Sequence, residues 1–207
     1  MDRRWERTRA ALLNAGRSLF AARDVDGVTV DQIVAAADVA KGSFYNHFND
    51  KDVFAREIAS SVRKQAEQAV DDANAGIEDP AAHLARALCV FMRFAIEHRE
   101  SARVLWRLNS GSTMVDAPIN RNLRDNVQRG INRQHFKHVD LEAAVLLVMG
   151  VIVISLRHAL EERLVTPPID VAKAMAAGLL RSLGVAPNQA ARLACEAGDA
   201  ILGGVAR

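Results

Sequence analysis

One stretch constrains this chain more than any other: Gly27 to Lys51, which reads GVTVDQIVAAADVAKGSFYNHFNDK. Thr29 is a good N-cap, and Val30, Ile33, Val34 and Ala37 follow it at helical spacing, so the stretch opens with a short amphipathic helix. A second short helix is predicted from about Lys41 to His47, with Asp38-Val39-Ala40 as a tight turn between the two and Val39 as an apolar plug in their angle. At roughly 1.5 Å per residue the second helix is about 10 Å long. Such a helix cannot form a core, but it can offer one end and one face to a groove.

Its side chains divide by face. Phe44 and Phe48 are four apart and turn inward together, which leaves Lys41, Ser43, Tyr45, Asn46 and His47 for the outside. All five donate hydrogen bonds and none is acidic. Gly42 has no Cβ, so the backbone can come close to whatever the helix touches. Asn49 or Asp50 can cap a following helix whose first turn holds Lys51, a place where a cation calls for an anion such as phosphate. An Ala/Val-rich hairpin could also be a plain packing unit; the combination of cap, plug, Gly42, paired Phe and donor face is what argues otherwise.

Gly27-Val28-Thr29-Val30, Ile33 to Ala37, Val39 to Phe48 and Lys51 together resemble the DNA-binding domain of tetracycline-repressor-type (TetR family) transcriptional regulators. Asp38 stands where that family usually has a turn glycine, and Ala40 where it often has a hydroxyl cap. The resemblance is specific over roughly the first sixty residues; beyond them only length and helical rhythm agree. It implies that Thr29, Lys41, Gly42, Ser43, Tyr45, Asn46, His47 and Lys51 occupy the DNA-contacting positions. It also implies a second, larger helical domain that pairs with a second copy and holds a small-molecule cavity.

Composition sets only broad limits. Of 207 residues, 50% are hydrophobic and 25% charged, as in an ordinary globular protein of one or two domains. A formal charge of +2 is too weak to mark a nucleic-acid binder, and residues 1–60 carry equal numbers of acidic and basic side chains. Only clustering of the N-terminal arginines with Lys41 would make a positive surface. Cys89 and Cys195 lack metal-type spacing and read as small buried hydrophobes. MDRRWERTR has no signal-peptide apolar region, and the longest apolar run, Ala143 to Ile154, is short of a membrane span, so a cytoplasmic protein without a membrane partner is expected.

In chain order, a first helix from about Arg4 to Arg23 carries Trp5, Leu12, Leu19 and Phe20 inward. A long fourth helix starts near Lys51 with Phe54, Ile58, Val62, Ala66 and Val70 on one face, and ends at Asn74-Ala75-Gly76. Asp79-Pro80 starts the next, which runs to about His98; a shorter helix spans Ser101 to Leu108, and Asn109 to Thr113 reads as loop. Ile119, Leu123, Val127 and Ile131 give a helix with a narrow apolar face. From Asp140 a helix of about 25 residues runs to Val165, apolar nearly all round from Leu141 to Leu156. Ile169 to Leu183, rich in small residues, and a last helix from Pro187 complete an all-α fold.

The helix-turn-helix domain is therefore residues 1–50, with the motif at about 29–48, and an effector-binding and dimerisation domain is residues 51–207. The all-round apolar helix and its small-residue successor favour a two-helix contribution, about 141–183, to a homodimer. Candidate effector walls are Phe91, Met92, Phe94, His98, Trp106, Met114, Leu123, Asn126 and Met149, mostly apolar with few polar groups. Arg93, Arg103, Arg107 and Arg121 nearby suit an anionic effector, although Arg93 can equally pair with Glu97. No G-x-S-x-G, H-E-x-x-H, phosphate loop or paired Cys motif occurs; His135 and His138 read as a solvated helix end, and no cofactor or metal is expected. The reading is a non-enzymatic regulator that binds a double-stranded DNA operator and is released by a small molecule. A ligand-independent DNA-binding protein, or a helical enzyme or scaffold with a borrowed helix-turn-helix, stays open beside it.

Overall fold

The computed structural model describes residues 3–108, 120–161 and 165–204, and among these the regular elements are all helical. In order they are α1 (Arg3–Ala22), α2 (Val30–Ala36), α3 (Lys41–His47), α4 (Lys51–Ala73), α5 (Pro80–Glu97), α6 (Arg99–Leu108), α7 (Arg121–Asn132), α8 (Leu141–Ala159), α9 (Pro168–Ser182) and α10 (Pro187–Leu202). A 3-10 turn, Val25–Gly27, joins α1 to α2. The described residues divide into two compact units: 3–65 with 98–108, and 66–97 with 120–161 and 165–204.

The first unit is built around rings. Phe44 and Phe48 turn inward from α3 as their spacing predicts, and both meet Phe54 of α4 edge-on, at 5.3 and 4.7 Å between centroids. Phe20 of α1 closes the cluster 6.0 Å from Phe54. Gly16 makes this possible: a Cβ there would lie 2.3 Å from the Phe54 ring, so any larger residue would push α4 away. Helix α6 packs on α1 through Ala102, Val104 and Leu105, and Arg107 pairs with Asp24 at 2.7 Å. One expected core residue is not there. Trp5 is 42% exposed, because it lies in the first turn of α1, beyond the reach of the ring cluster.

In the second unit α5 is the central helix, contacting α7, α8, α9 and α10 and burying residues on more than one face. Asp79 caps it, accepting from Ala81 N–H at 2.9 Å, with Pro80 at the first helical position. At the end of α9, Gly184 has φ +83 and lies so close to Lys137 that a Cβ would sit 2.5 Å from the Lys137 carbonyl. Lys137 N–H meets the Leu183 carbonyl at 2.9 Å, tying the segment after α7 to this turn.

Three further expectations need correction. Helix α8 closes at Ala159, not Val165, because the Leu160 and Glu161 amides turn back to Arg157 and His158 in a tight last turn. Over its 19 residues its mean hydropathy is 1.9, so by length and composition alone it could cross a membrane, which the shorter run Ala143 to Ile154 had not suggested. Here it packs on α5, α7 and α9 through Ala144, Val145, Val148 and Leu156. Cys195 is exposed rather than buried, since α10 turns it outward where its thiol donates to Asp199 Oδ2 at 3.5 Å. Cys89 is buried as expected, and burial pushes its thiol up to about 12. The loop expected at Asn109 to Thr113, the candidate Met114 and Ile119 lie outside the described residues.

Candidate nucleic-acid interface

Local chemistry sets the α2–α3 geometry. Thr29 and Gln32 form a reciprocal cap: the Thr29 hydroxyl accepts from Gln32 N–H at 3.2 Å and the Gln32 side chain accepts from Thr29 N–H at 2.9 Å. After α2 the chain reverses at Asp38, whose φ of 53 is in the left-handed region that favours glycine. Aspartate tolerates that region better than most side chains, which is how the turn forms without a glycine. The reversal lets Val39 N–H reach the Val34 carbonyl at 3.0 Å and leaves the Val39 side chain half-buried in the angle. Ala40 gives α3 no side-chain cap.

The face of α3 away from the rings is open. Tyr45 is 53% exposed, its ring set edge-on to Phe44 at 5.4 Å; Lys41, Gly42 and Asn46 are exposed and Ser43 is half-buried. A Cβ built on Gly42 would meet nothing within 4 Å, so the space over the start of this helix is free for a partner. Lys41 Nζ pairs with Asp31 of α2 at 2.7 Å, and that hydrogen bond, with the charge behind it, raises the Lys41 pKa and keeps it cationic. Thr29 is also exposed, at the start of α2.

Two residues have intramolecular partners that their place in the motif does not announce. Lys51 is half-buried and donates Nζ–H to the carbonyls of Val25 (2.8 Å) and Val28 (3.0 Å), so the counter-dipole that its position demanded is supplied by the 3-10 turn. Asp50 caps α4 through Val53 N–H at 2.7 Å. His47 is half-buried under Trp5, their rings 4.4 Å apart, and burial followed by the charge of Arg9 lowers its pKa. Arg9 lies over the Phe48 ring at 5.3 Å and pairs with Glu57. Sequence spacing had no means of bringing Trp5 and Arg9 to α3, since one turn of α1 meets it only through tertiary packing.

The expected effector walls do not collect in one unit. His98 and Trp106 belong with the first; Phe91, Met92, Phe94, Leu123, Asn126 and Met149 belong to the second. Met92 and Phe94 are buried, Phe91, Leu123 and Met149 half-buried. Both polar atoms of Asn126 have partners: Nδ2 donates to the Pro80 carbonyl at 3.2 Å and Oδ1 accepts from Arg129 at 3.1 Å. Arg93 pairs with Glu97 at 3.8 Å and Arg107 with Asp24, so two of the four arginines have carboxylate partners. His135 faces Asp79 at 3.0 Å, and no group of three metal-type side chains occurs among the described residues. A groove of about 540 Å³ lies instead between α8 and α9, lined by Val151, Ala174, Met175, Gly178, Leu179, Arg181 and Ser182.

A capped helix, a left-handed turn and a short helix with an open donor face, carried on an all-α chain, are the architecture of a helix-turn-helix transcriptional regulator. Residues 12–58 match the family model for bacterial regulatory proteins of the tetR family, and residues 79–196 match a tetracyclin repressor-like C-terminal domain. The chain belongs to the TetR family. It is 37% identical over 70 residues to the HTH-type transcriptional repressor DhaR of Mycobacterium sp. (strain GP1), a match covering 32% of this chain and 35% of that repressor. The crystal structure of RolR in complex with resorcinol aligns over 94% of this chain and 96% of RolR, with 25% identity and a TM-score of 0.62. A gamma-butyrolactone receptor (ArpA-like protein) aligns over 98% of this chain and all of its own (100%), with 20% identity and a TM-score of 0.71, a likeness of fold.

Proposed function

We propose that the protein is a homodimeric transcriptional repressor that binds a palindromic DNA operator and is released by a small-molecule effector. The observation that carries the DNA reading is the outer face of α3, where Lys41, Tyr45 and Asn46 stand exposed around the open space above Gly42. Lys41 and Asn46 are assigned to bases, Tyr45 to phosphate, with Thr29, Ser43, His47 and Lys51 supporting the docked helix. Residues 1–50 dock on DNA and residues 51–207 pair the copies and bind the effector.

Pairing is supported by α8 and α9. Leu146, Val153 and Ile154 are 39%, 42% and 51% exposed on the side of α8 opposite its buried residues, and the α8–α9 groove continues that apolar face. A second copy packed there forms a four-helix seam. Two-fold symmetry then sets the half-sites about one helical turn apart, roughly 34 to 36 Å, or somewhat more. The same contact makes a membrane partner for α8 unnecessary and fits a cytoplasmic protein.

For the effector, the half-buried Phe91, Leu123 and Met149 of α5, α7 and α8 are the proposed walls, and resorcinol is the natural first probe because RolR binds it. The ligand must favour the non-binding state of the dimer to release DNA. The reading assigns no reaction to the protein. Selection of binding sites from random duplex DNA at physiological salt tests it: an enriched palindrome is expected, and the absence of any sequence preference would overturn it. A palindrome whose binding responds to no compound that raises thermal stability would leave a ligand-independent DNA-binding protein.

A further inference from the structure

Trp5 occupies an unusual place for a tryptophan. It is 42% exposed at the start of α1, touching none of the inward phenylalanines in a ring contact, yet its indole sits 4.4 Å from the imidazole of His47, tilted by 49°. His47 is the last residue of α3. Its Nδ1 is buried with no hydrogen-bond partner, and since the residue as a whole is half-buried, Nε2 is the ring nitrogen left to meet a partner. An N–H buried without an acceptor is costly, and a buried lone pair is less so. The proton of the neutral ring therefore sits on Nε2, which makes His47 an outward donor. The charged groups facing it are Arg9 of α1 and, through Arg9, Glu57 of α4; the guanidinium adds to burial in opposing protonation.

We propose that Trp5 is a positioning residue of the DNA interface: its indole, stacked on His47, holds the imidazole in one tautomer, with Nε2–H presented to a phosphate or base acceptor as a neutral donor. The inference rests on reading the outer face of α3 as the DNA-facing surface. A neutral donor positions without releasing a counterion, so this contact adds nothing to the salt dependence of binding while the ring is neutral. Without the indole the ring is free to rotate and to take a second proton, and at mildly acidic pH it becomes one more cation against the phosphates.

The test follows the His47 imidazole by NMR in the free protein and measures operator affinity against salt at pH 6.0 and 7.5, for the wild type, Trp5→Ala and Trp5→Phe. In the wild type His47 is expected to titrate below its ordinary value of 6.5, with a smaller difference in salt slope between the two pH values than in Trp5→Ala. Trp5→Ala is expected to return the titration toward 6.5 and to steepen the slope at pH 6.0 relative to the wild type by up to about 0.9, the equivalent of one phosphate. Trp5→Phe keeps a ring over His47 and is expected to follow the wild type. If Asn46→Ala changes base preference while Trp5→Ala moves neither titration nor slope, the role of Trp5 is refuted and the interface stands. If Trp5→Phe behaves as Trp5→Ala, ring stacking is not what holds His47. If Asn46→Ala and His47→Gln both leave DNA binding unchanged, the interface reading itself has failed.

Discussion

The outer face of α3 and the outer face of α8 are both surfaces that the fold of a single chain leaves over, and they are opposite in kind. That of α3 is polar, exposing Lys41, Tyr45 and Asn46 on a helix of seven residues whose only buried side chain is Phe44. That of α8 is apolar, exposing Leu146, Val153 and Ile154 on a helix of 19 residues. Water solvates the first at little cost, so it can wait for a charged partner. The second costs roughly 25 cal/mol for each Å² of apolar surface left wet, so it favours a permanent one. On the proposed function one chain thus carries a reversible surface and an obligate one, and substitutions should separate them.

The largest effect is expected at α8. Val153→Asp combined with Ile154→Asp places four carboxylates in the seam of a dimer, and burying them unpaired costs several kcal/mol, enough to weaken association more than about a hundredfold. Sedimentation equilibrium should find a monomer with helical content retained. A wild-type protein that is monomeric at micromolar concentration would remove the contrast altogether.

On α3 the same kind of change should spare the fold. Tyr45→Ala or Asn46→Ala is expected to weaken operator binding by about tenfold, on the order of 1 to 2 kcal/mol, with thermal stability unchanged within about 0.5 kcal/mol. Tyr45→Ala should act equally on all sequences and Asn46→Ala should alter base preference. Lys51→Ala sharpens the contrast, because the ammonium that resembles a phosphate ligand also holds the Val25 and Val28 carbonyls. It should lower folding stability by about 1 to 2 kcal/mol as well as weakening DNA binding, in a denaturation curve read beside a binding isotherm.

A smaller effect belongs to the turn between the two helices. Asp38→Gly removes the strain of a side chain at φ 53 and should stabilise the first unit by about 0.5 to 1 kcal/mol, with the operator unchanged. The smallest concerns pH. Burial lowers the pKa of His47 in the first unit, and burial with the charge of Arg129 lowers that of His83 in the second. Both resist protons when folded, so their contribution to stability is present above 6.5 and declines as pH falls through and below that value. His47→Gln and His83→Gln should each flatten the loss of melting temperature on acidification.

The helix-turn-helix was legible because its signals are local: a hydroxyl cap before an apolar period, two phenylalanines four apart, and a turn too short for anything else. What those signals could not carry was the partner of each polar group. Its place in a first turn calls for an anion beside Lys51, and two carbonyls 26 and 23 residues earlier supply partial negative charge there. Helical period turns His47 outward, and only the tertiary fold lays Trp5 of α1 against one face of its ring. The apolar neighbours of Cys195 point to a buried thiol, and its position around α10 turns it to solvent.

By itself the sequence determined the helical class, the motif, the order of elements and which phenylalanines make the first core, because caps, turns and periodicity act over a few residues. Tertiary structure alone decided the Trp5–His47 stack, the two carbonyls that hold Lys51, and which side of α8 is left bare. A helix apolar nearly all round carries no period to name its buried face; only the helices packed against it, α5, α7 and α9, choose one.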